Sequence, residues 1–144
     1  MKLLYISISG NTRAFIRRLM DYAQQQTESP VEWHVKEIDD NSIFEEENEP
    51  FVVFVPTYLE GGNGVENGDQ EILTETMREY IDFANNARFC RGVIGSGNKN
   101  FNYQYCLTAK QYAEQFQVPF LADFELRGTT QDIARIYDVL SNLD

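Results

Sequence analysis

Leu3-Leu4-Tyr5-Ile6-Ser7-Ile8-Ser9-Gly10-Asn11-Thr12 is the stretch on which the fold turns: an apolar run feeds a hydroxyl-rich turn, and a helical stripe begins at Arg13. A strand that ends in such a turn and opens a helix gathers backbone N–H groups and Ser/Thr hydroxyls at one spot, as helix N-termini do when they hold phosphate. No Lys or Arg stands in the turn before Arg13. An anion there would be held by dipoles and hydroxyls, which suits a phosphomonoester that is bound but not cleaved. Neither the G-x-G-x-x-G dinucleotide fingerprint nor the G-x-x-x-x-G-K-[ST] nucleotide loop is present. Taken alone, the turn reads equally as a plain helix cap, with Ser9 or Asn11 as the capping side chain and nothing bound.

Outward from this stretch, helix and strand patterns alternate. Phe15, Ile16, Leu19, Met20 and Ala23 make an apolar stripe at helical spacing, with Arg13, Arg17, Arg18 and Asp21 turned outward. Beyond Pro30, Val31, Trp33 and Val35 alternate with Glu32, His34 and Lys36, the pattern of a half-exposed edge strand that places Trp33 in the core and His34 on the polar face. Phe51 to Val55 is apolar on both faces and reads as a central parallel strand ending at Pro56-Thr57-Tyr58. A Gly-rich loop from Leu59 to Asp69 follows, of a length that in a compact domain is functional or disordered. Leu73, Met77, Tyr80, Ile81 and Ala84 predict a helix, and Cys90 to Gly95 a fourth strand. Tyr105, Ala109, Tyr112, Ala113 and Phe116 share the face of another helix, Phe120 to Leu126 reads as a fifth strand, and Ile133, Ile136, Tyr137 and Leu140 mark a last helix. Such alternation implies a parallel sheet with helices on both faces. Between the second and third strands, Ile38 to Pro50 is too short and too acidic for a buried helix. It is expected to be a loop or a single helical turn, with Glu45 to Glu49 solvated.

The 144 residues fit one domain, 1–144, large enough to bury its own core. A net charge of -11, from 23 Asp and Glu against 12 Lys and Arg, argues against nucleic acid or an anionic membrane and suits a basic protein partner better. With no signal peptide and no apolar stretch of membrane-spanning length, the chain reads as cytoplasmic. Cys90 and Cys106 lack metal-ligand spacing and are expected to be buried, inert thiols, so no metal site is assigned.

In an open parallel sheet a ligand sits beyond the carboxyl ends of the strands, at the switch in strand order. In a 2-1-3-4-5 order the loops after strands one, three and four are neighbours. The first offers phosphate ligands, the second Tyr58 beside glycines, and the third Phe101 and Tyr103 among small polar residues. Together they would form a slot with an anion site at one end and aromatic walls at the other. Flavin mononucleotide (FMN) fits that description.

The residues also resemble a family. Ser7 to Thr12 is similar to the phosphate loop of flavodoxins. Pro56-Thr57-Tyr58, Gly95-Ser96-Gly97-Asn98-Lys99-Asn100-Phe101 and Phe124-Glu125-Leu126-Arg127-Gly128-Thr129 with Asp132-Ile133 resemble the NrdI proteins, over nearly the whole chain. The resemblance implies a flavodoxin-like three-layer α/β sandwich, a five-stranded parallel sheet of order 2-1-3-4-5 with helices on both faces and an abbreviated second crossover. It further implies a bound FMN that, once reduced by a reductant protein or reductase, passes electrons to dioxygen. The resulting superoxide or related oxidant would serve cofactor assembly in the radical-generating small subunit of class Ib ribonucleotide reductase. By position, Ser7, Ser9, Gly10, Asn11 and Thr12 would hold phosphate. Thr57, Tyr58, Gly61 and Gly62 would line one side of the isoalloxazine, and Ser96, Gly97, Asn98, Asn100, Phe101 and Tyr103 the other. Where the family has a compact glycine run directly after the tyrosine, Leu59-Glu60 intervene here and the loop extends through Glu66 and Asp69. Chemistry would reside on the flavin rather than on a catalytic side chain. Glu60, Gly61 and Gly62 are the tuning candidates, one of the two glycines through a peptide flip toward the flavin N5.

Other readings separate on single residues. A phosphoacceptor receiver needs acidic residues where Ser7 and Pro56-Thr57 stand, and a low-molecular-weight tyrosine phosphatase needs an Arg six residues after a cysteine, where Ser96 and Tyr112 stand. A general electron-transfer flavodoxin and a non-redox binding module stay open. Arg127 reads as surface charge at the rim of the cleft.

Overall fold

A computed structural model describes residues 1–26, 28, 30–60 and 69–143. The strands are β1 (Lys2–Tyr5), β2 (His34–Glu37), β3 (Phe51–Pro56), β4 (Cys90–Gly97) and β5 (Phe120–Glu125), and the helices α1 (Asn11–Gln25), α2 (Glu75–Asp82), α3 (Leu107–Phe116) and α4 (Thr130–Ser141). All strand pairs are parallel, in the order β2-β1-β3-β4-β5. Two 3-10 segments, Phe83–Phe89 and Lys99–Gln104, precede β4 and α3. This is the flavodoxin-like α/β architecture.

Successive strand residues point to opposite faces, so Leu3 and Leu4 feed different cores. Leu3, Tyr5, Val52 and Phe54 pack with Phe15, Ile16 and Leu19 of α1 and Ile133, Ile136 and Leu140 of α4. Leu4, Ile6, Phe51, Val53 and Val55 pack with Met77, Tyr80 and Ile81 of α2 and Ala109 and Tyr112 of α3. Every residue of β3 is buried, as its two-faced apolar pattern requires. At the start of α4, Thr129 Oγ1 accepts the Asp132 N–H at 3.1 Å and Asp132 Oδ2 accepts the Thr129 N–H at 2.8 Å, a reciprocal capping box.

Several boundaries depart from the periodicity. Leu73 has φ 68° and precedes α2, while Ala84 has φ 51° and lies past its end, so neither continues the helical stripe. Tyr105 lies ahead of α3, β4 runs on to Gly97, and β5 stops at Glu125. The edge strand β2 is only 4 residues long; Trp33 is buried just before it against Tyr137 of α4, but Val35 is 44% exposed, so the inward alternation expected of this strand ends at Trp33.

The second crossover contains no helix, and a polar anchor holds it instead. Phe44 packs edge-on against Tyr80 and Phe83. Glu47 overturns the expectation of a solvated acidic loop, being 2% exposed. Its carboxylate accepts from Lys2 Nζ at 2.6 Å, from Lys36 Nζ at 3.1 Å and from the Tyr80 hydroxyl, while its N–H donates to Asn86 Oδ1 at 2.8 Å. Burial works against this charge, yet the hydrogen bonds from Lys2, Tyr80 and Lys36 outweigh it and hold the carboxyl below the ordinary range. A buried carboxylate survives when paired and hydrogen-bonded in this way.

Candidate functional site

The loops leaving β1, β3 and β4 meet at one sheet edge around a cavity of about 290 Å³. Its polar end is the start of α1. Gly10 occupies the cap position with φ 94° and ψ -9°, and Ser7 Oγ accepts the Arg13 N–H at 3.2 Å, so neither Ser9 nor Asn11 caps the helix. Ser9, Asn11 and Thr12 are thereby left to face the cavity, with Ser7 and Gly10 shaping the turn from outside its lining. By helix geometry the first N–H groups of α1 lack intrahelical acceptors. A Cβ at Gly10 would meet no atom within 4 Å, so the backbone conformation, not crowding, is what calls for glycine there.

Arg13 does not turn toward this anion site. Its Nε and Nη2 grip Glu37 Oε1 and Oε2 at 2.9 and 2.6 Å, and Tyr5 donates to the same Oε1 at 2.9 Å. The bonds from Arg13 hold the Glu37 carboxyl below its usual range, and burial followed by the adjacent carboxylate pushes the Tyr5 hydroxyl up to about 12. Arg127 reaches the rim, where its Nε donates to Asn11 Oδ1 at 3.4 Å.

The rest of the cavity is largely apolar. Pro56, Thr57, Tyr58 and Leu59 form one side, and Ser96, Gly97, Asn98 and Phe101 the other. Pro56 and Ser96 are register partners, so the two loops leave the sheet side by side. Thr57 Oγ1 accepts the Thr108 N–H at 3.3 Å, tying this side to the first turn of α3, and Asn98 Oδ1 accepts the Asn100 N–H at 2.9 Å. Phe101 is 38% exposed and stands at the mouth. The Gly97 carbonyl accepts the Leu126 N–H at 2.9 Å, which brings the loop after β5 to the same rim.

Ile72, Gln104 and Leu126 also line the cavity; Leu126 lies in the stretch after β5 that carries the family resemblance, and no sequence signal singled out Ile72 or Gln104. Ile72 arrives because its N–H donates to the Tyr58 carbonyl at 3.0 Å, a pairing between segments fourteen positions apart. Asn100 and Tyr103 stand outside the lining; the Tyr103 hydroxyl donates to Asp69 Oδ1 at 2.9 Å. Glu60 is exposed, with its N–H on the Gln70 carbonyl at 2.8 Å. Gly61 and Gly62, with the proposed flip, lie outside the described residues. Cys90 and Cys106 are buried, and burial pushes their thiols up to about 11 and 12. Among the described residues no cluster of His, Cys, Asp and Glu could hold a metal ion, and no helix is long and apolar enough to cross a membrane.

Comparison with known proteins places these features in a lineage. A sequence model of the family described as NrdI flavodoxin-like matches residues 3–138. An NrdI-like protein of Streptococcus pneumoniae is 50% identical over 146 aligned residues, covering 99% of this chain and 94% of that protein. Protein NrdI of Mycoplasma genitalium is 33% identical over 138 residues, covering 96% and 80%. Among solved structures, a short-chain flavodoxin associated with a non-canonical PDU bacterial microcompartment superposes with a TM-score of 0.63 at 18% identity, covering 99% of this chain and 94% of that one. Oxidised flavodoxin 2 from Bacillus cereus gives a TM-score of 0.62 at 14% identity, with coverage of 97% and 95%.

Proposed function

Because the chain belongs to the NrdI family of flavodoxin-like proteins, we propose that it binds FMN at the edge of the sheet and serves as the activating redox partner of a class Ib ribonucleotide reductase. The family and the fold imply a flavin. The observation that supports FMN in particular is the two-ended cavity, with Ser9, Asn11 and Thr12 at a helix start and Tyr58, Leu59, Phe101 and Leu126 as walls. Hydroxyls and helix N–H groups match a phosphomonoester, and flat apolar walls match a fused ring. When bound and reduced, the flavin would supply electrons to dioxygen, giving superoxide or a related oxidant for the reductase small subunit.

The residues divide the work. Ser9, Asn11 and Thr12 would fix the phosphate, with Ser7 and Gly10 holding the shape of their turn. Thr57, Tyr58, Ser96, Gly97 and Asn98 would orient the ring, and Phe101 and Leu126 would exclude water at the mouth. Asn100 and Tyr103 would act from outside that lining, through the shape of the segment that carries Phe101. A basic reductant protein suits the acidic chain, and the cytoplasm is the compartment in which both partners would be met.

A general electron-transfer flavodoxin is the second reading, favoured by the superposition on flavodoxins. Spectra recorded during stepwise anaerobic reduction should show one flavin per chain, released as FMN on denaturation. Mixing the reduced protein with dioxygen and a metal-loaded class Ib small subunit should then generate the radical. Full flavin content with no radical formed would favour the general electron carrier, and a colourless chain that takes up no FMN would sink both readings.

A further inference from the structure

Behind the aliphatic wall of the cavity lies a carboxylate with no part in holding the phosphate or the ring. Glu71 is 8% exposed. Its Oε2 accepts from Thr74 Oγ1 at 2.5 Å and from the Tyr112 hydroxyl at 2.6 Å, and its Oε1 accepts from Arg78 Nε at 2.7 Å. The Arg78 guanidinium lies 4.6 Å from the Tyr112 ring centroid, and the Tyr112 hydroxyl is also 3.1 Å from the Thr74 carbonyl. Donors from the turn before α2, from α2 itself and from α3 thus converge on one side chain. Burial and the adjacent Glu71 charge push the Tyr112 hydroxyl well up, so it stays protonated as a donor.

The backbone of the same residue belongs to the cavity wall. Glu71 pairs antiparallel with Leu59, flanked by the Glu60 N–H to Gln70 carbonyl and Ile72 N–H to Tyr58 carbonyl bonds. Tyr58, Leu59 and Ile72, which line the cavity, therefore hang from a short ribbon that this carboxylate ties to α2 and α3, beside the Thr108 N–H to Thr57 Oγ1 bond at 3.3 Å and the bonds from Tyr103 and Gln104 to Asp69 Oδ1 at 2.9 and 3.0 Å. An apolar residue would fill the space without the cost of burying a charge. Charge-assisted hydrogen bonds do what an apolar contact does not, fixing length and direction together.

We propose that Glu71 is a positioning residue for the ring side of the site: its buried carboxylate locks the ribbon of residues 58–60 and 70–72 onto α2 and α3, and so sets the wall against which the flavin ring packs. The proposal rests on the flavin-binding reading and adds to it a residue that never touches the ligand. The phosphate turn hangs from β1 and α1 and meets this ribbon through one hydrogen bond, from the Tyr58 hydroxyl to Ser9 Oγ at 2.9 Å.

The test compares FMN and riboflavin affinities, and the midpoint potential, in the full-length wild type, Glu71→Gln and Tyr112→Phe. Glu71→Gln should weaken both flavins in parallel by about tenfold, the order of loss when a supporting contact lets a binding wall shift. The FMN-to-riboflavin ratio should move by less than the about fivefold that the Tyr58–Ser9 hydrogen bond is worth, while the potential moves. Tyr112→Phe keeps the charge and the ring and should move the same readouts less. Should Glu71→Gln fail to fold, Tyr112→Phe decides by the same measurements. Folded variants with wild-type affinities and potential, whatever their melting temperatures, overturn the proposal alone. A wild-type chain that takes up neither flavin removes the flavin reading, and the proposal falls with it.

Discussion

The Tyr58 hydroxyl donates to Ser9 Oγ at 2.9 Å, joining the wall that follows β3 to the turn that follows β1. The two ends of the cavity are therefore mechanically coupled through one hydrogen bond. In Tyr58→Phe the wall remains and the turn loses a fixed partner. FMN affinity should fall about fivefold, the worth of one net hydrogen bond of about 1 kcal/mol, with riboflavin affinity unchanged. Ser9→Ala with Thr12→Val should release FMN from the purified protein while riboflavin still binds. Equilibrium titration followed by flavin fluorescence reads both, and full FMN retention by the double variant would remove the phosphate assignment.

Phe101 stands at the mouth, partly open to solvent. Phe101→Ala should weaken FMN and riboflavin alike by roughly fivefold, the loss of about 1 kcal/mol of aromatic contact, and should shift the potential. Glu60→Gln removes an exposed charge beside Leu59 and should raise the potential slightly, since water and salt screen it. Spectroelectrochemistry checks both, and wild-type values for Phe101→Ala would exclude it as a contact.

Glu47 sets an acid limit on stability. Breaking its pairs in Glu47→Gln should cost roughly 3 kcal/mol at neutral pH, the low end for a buried ion pair, because Lys2 and Lys36 stay partly exposed and can rehydrate. The folded carboxyl titrates below its unfolded value near 4.3. Its contribution is therefore present above that pH and lost as the pH falls through the folded value. Glu37 and Asp132 are lowered as well and act in the same direction. Urea denaturation between pH 7 and pH 3 should show the gap between wild type and Glu47→Gln closing at the acid end, and a pH-independent gap would contradict the ion-pair account.

Gly128 and Gly10 form a controlled pair. Both have positive φ, 74° and 94°, but a Cβ at Gly128 would sit 2.7 Å from Phe15 Cδ2, inside the stack that Phe15 makes on Phe124 at 3.8 Å, whereas one at Gly10 meets nothing. Gly128→Ala should cost roughly 2–4 kcal/mol, strain plus overpacking, and Gly10→Ala about 1–2 kcal/mol, strain alone. Denaturant midpoints compare them, and equal losses would show that crowding at Phe15 is relieved without cost.

What could be read in the sequence was local or periodic. The β1 turn, the two-faced β3, Trp33 as core and the stripe of α4 each declare themselves within a dozen residues. Non-local partners decided the rest. Glu47 points inward because Lys2, Lys36 and Tyr80 come from three distant segments, and the run around it has the composition of a solvated loop. Ile72 and Leu126 reach the cavity through backbone bonds to Tyr58 and Gly97 that no spacing announces. Tyr103 stands outside the lining with its hydroxyl on Asp69 Oδ1, a partner 34 positions away that local sequence does not announce.

The grip of Glu37 on Arg13 has a kinetic corollary. With that guanidinium engaged, Arg127 on Asn11 is the cation left at the described rim, and a phosphorylated ligand must approach against the overall repulsion of a molecule of net charge -11. Long-range repulsion of this kind slows encounter and is relieved by added salt, whereas short-range dipole contacts at a helix start are screened far less. The bimolecular uptake rate of FMN should therefore climb with ionic strength while its escape rate stays nearly flat, the reverse of what a cationic phosphate pocket would display.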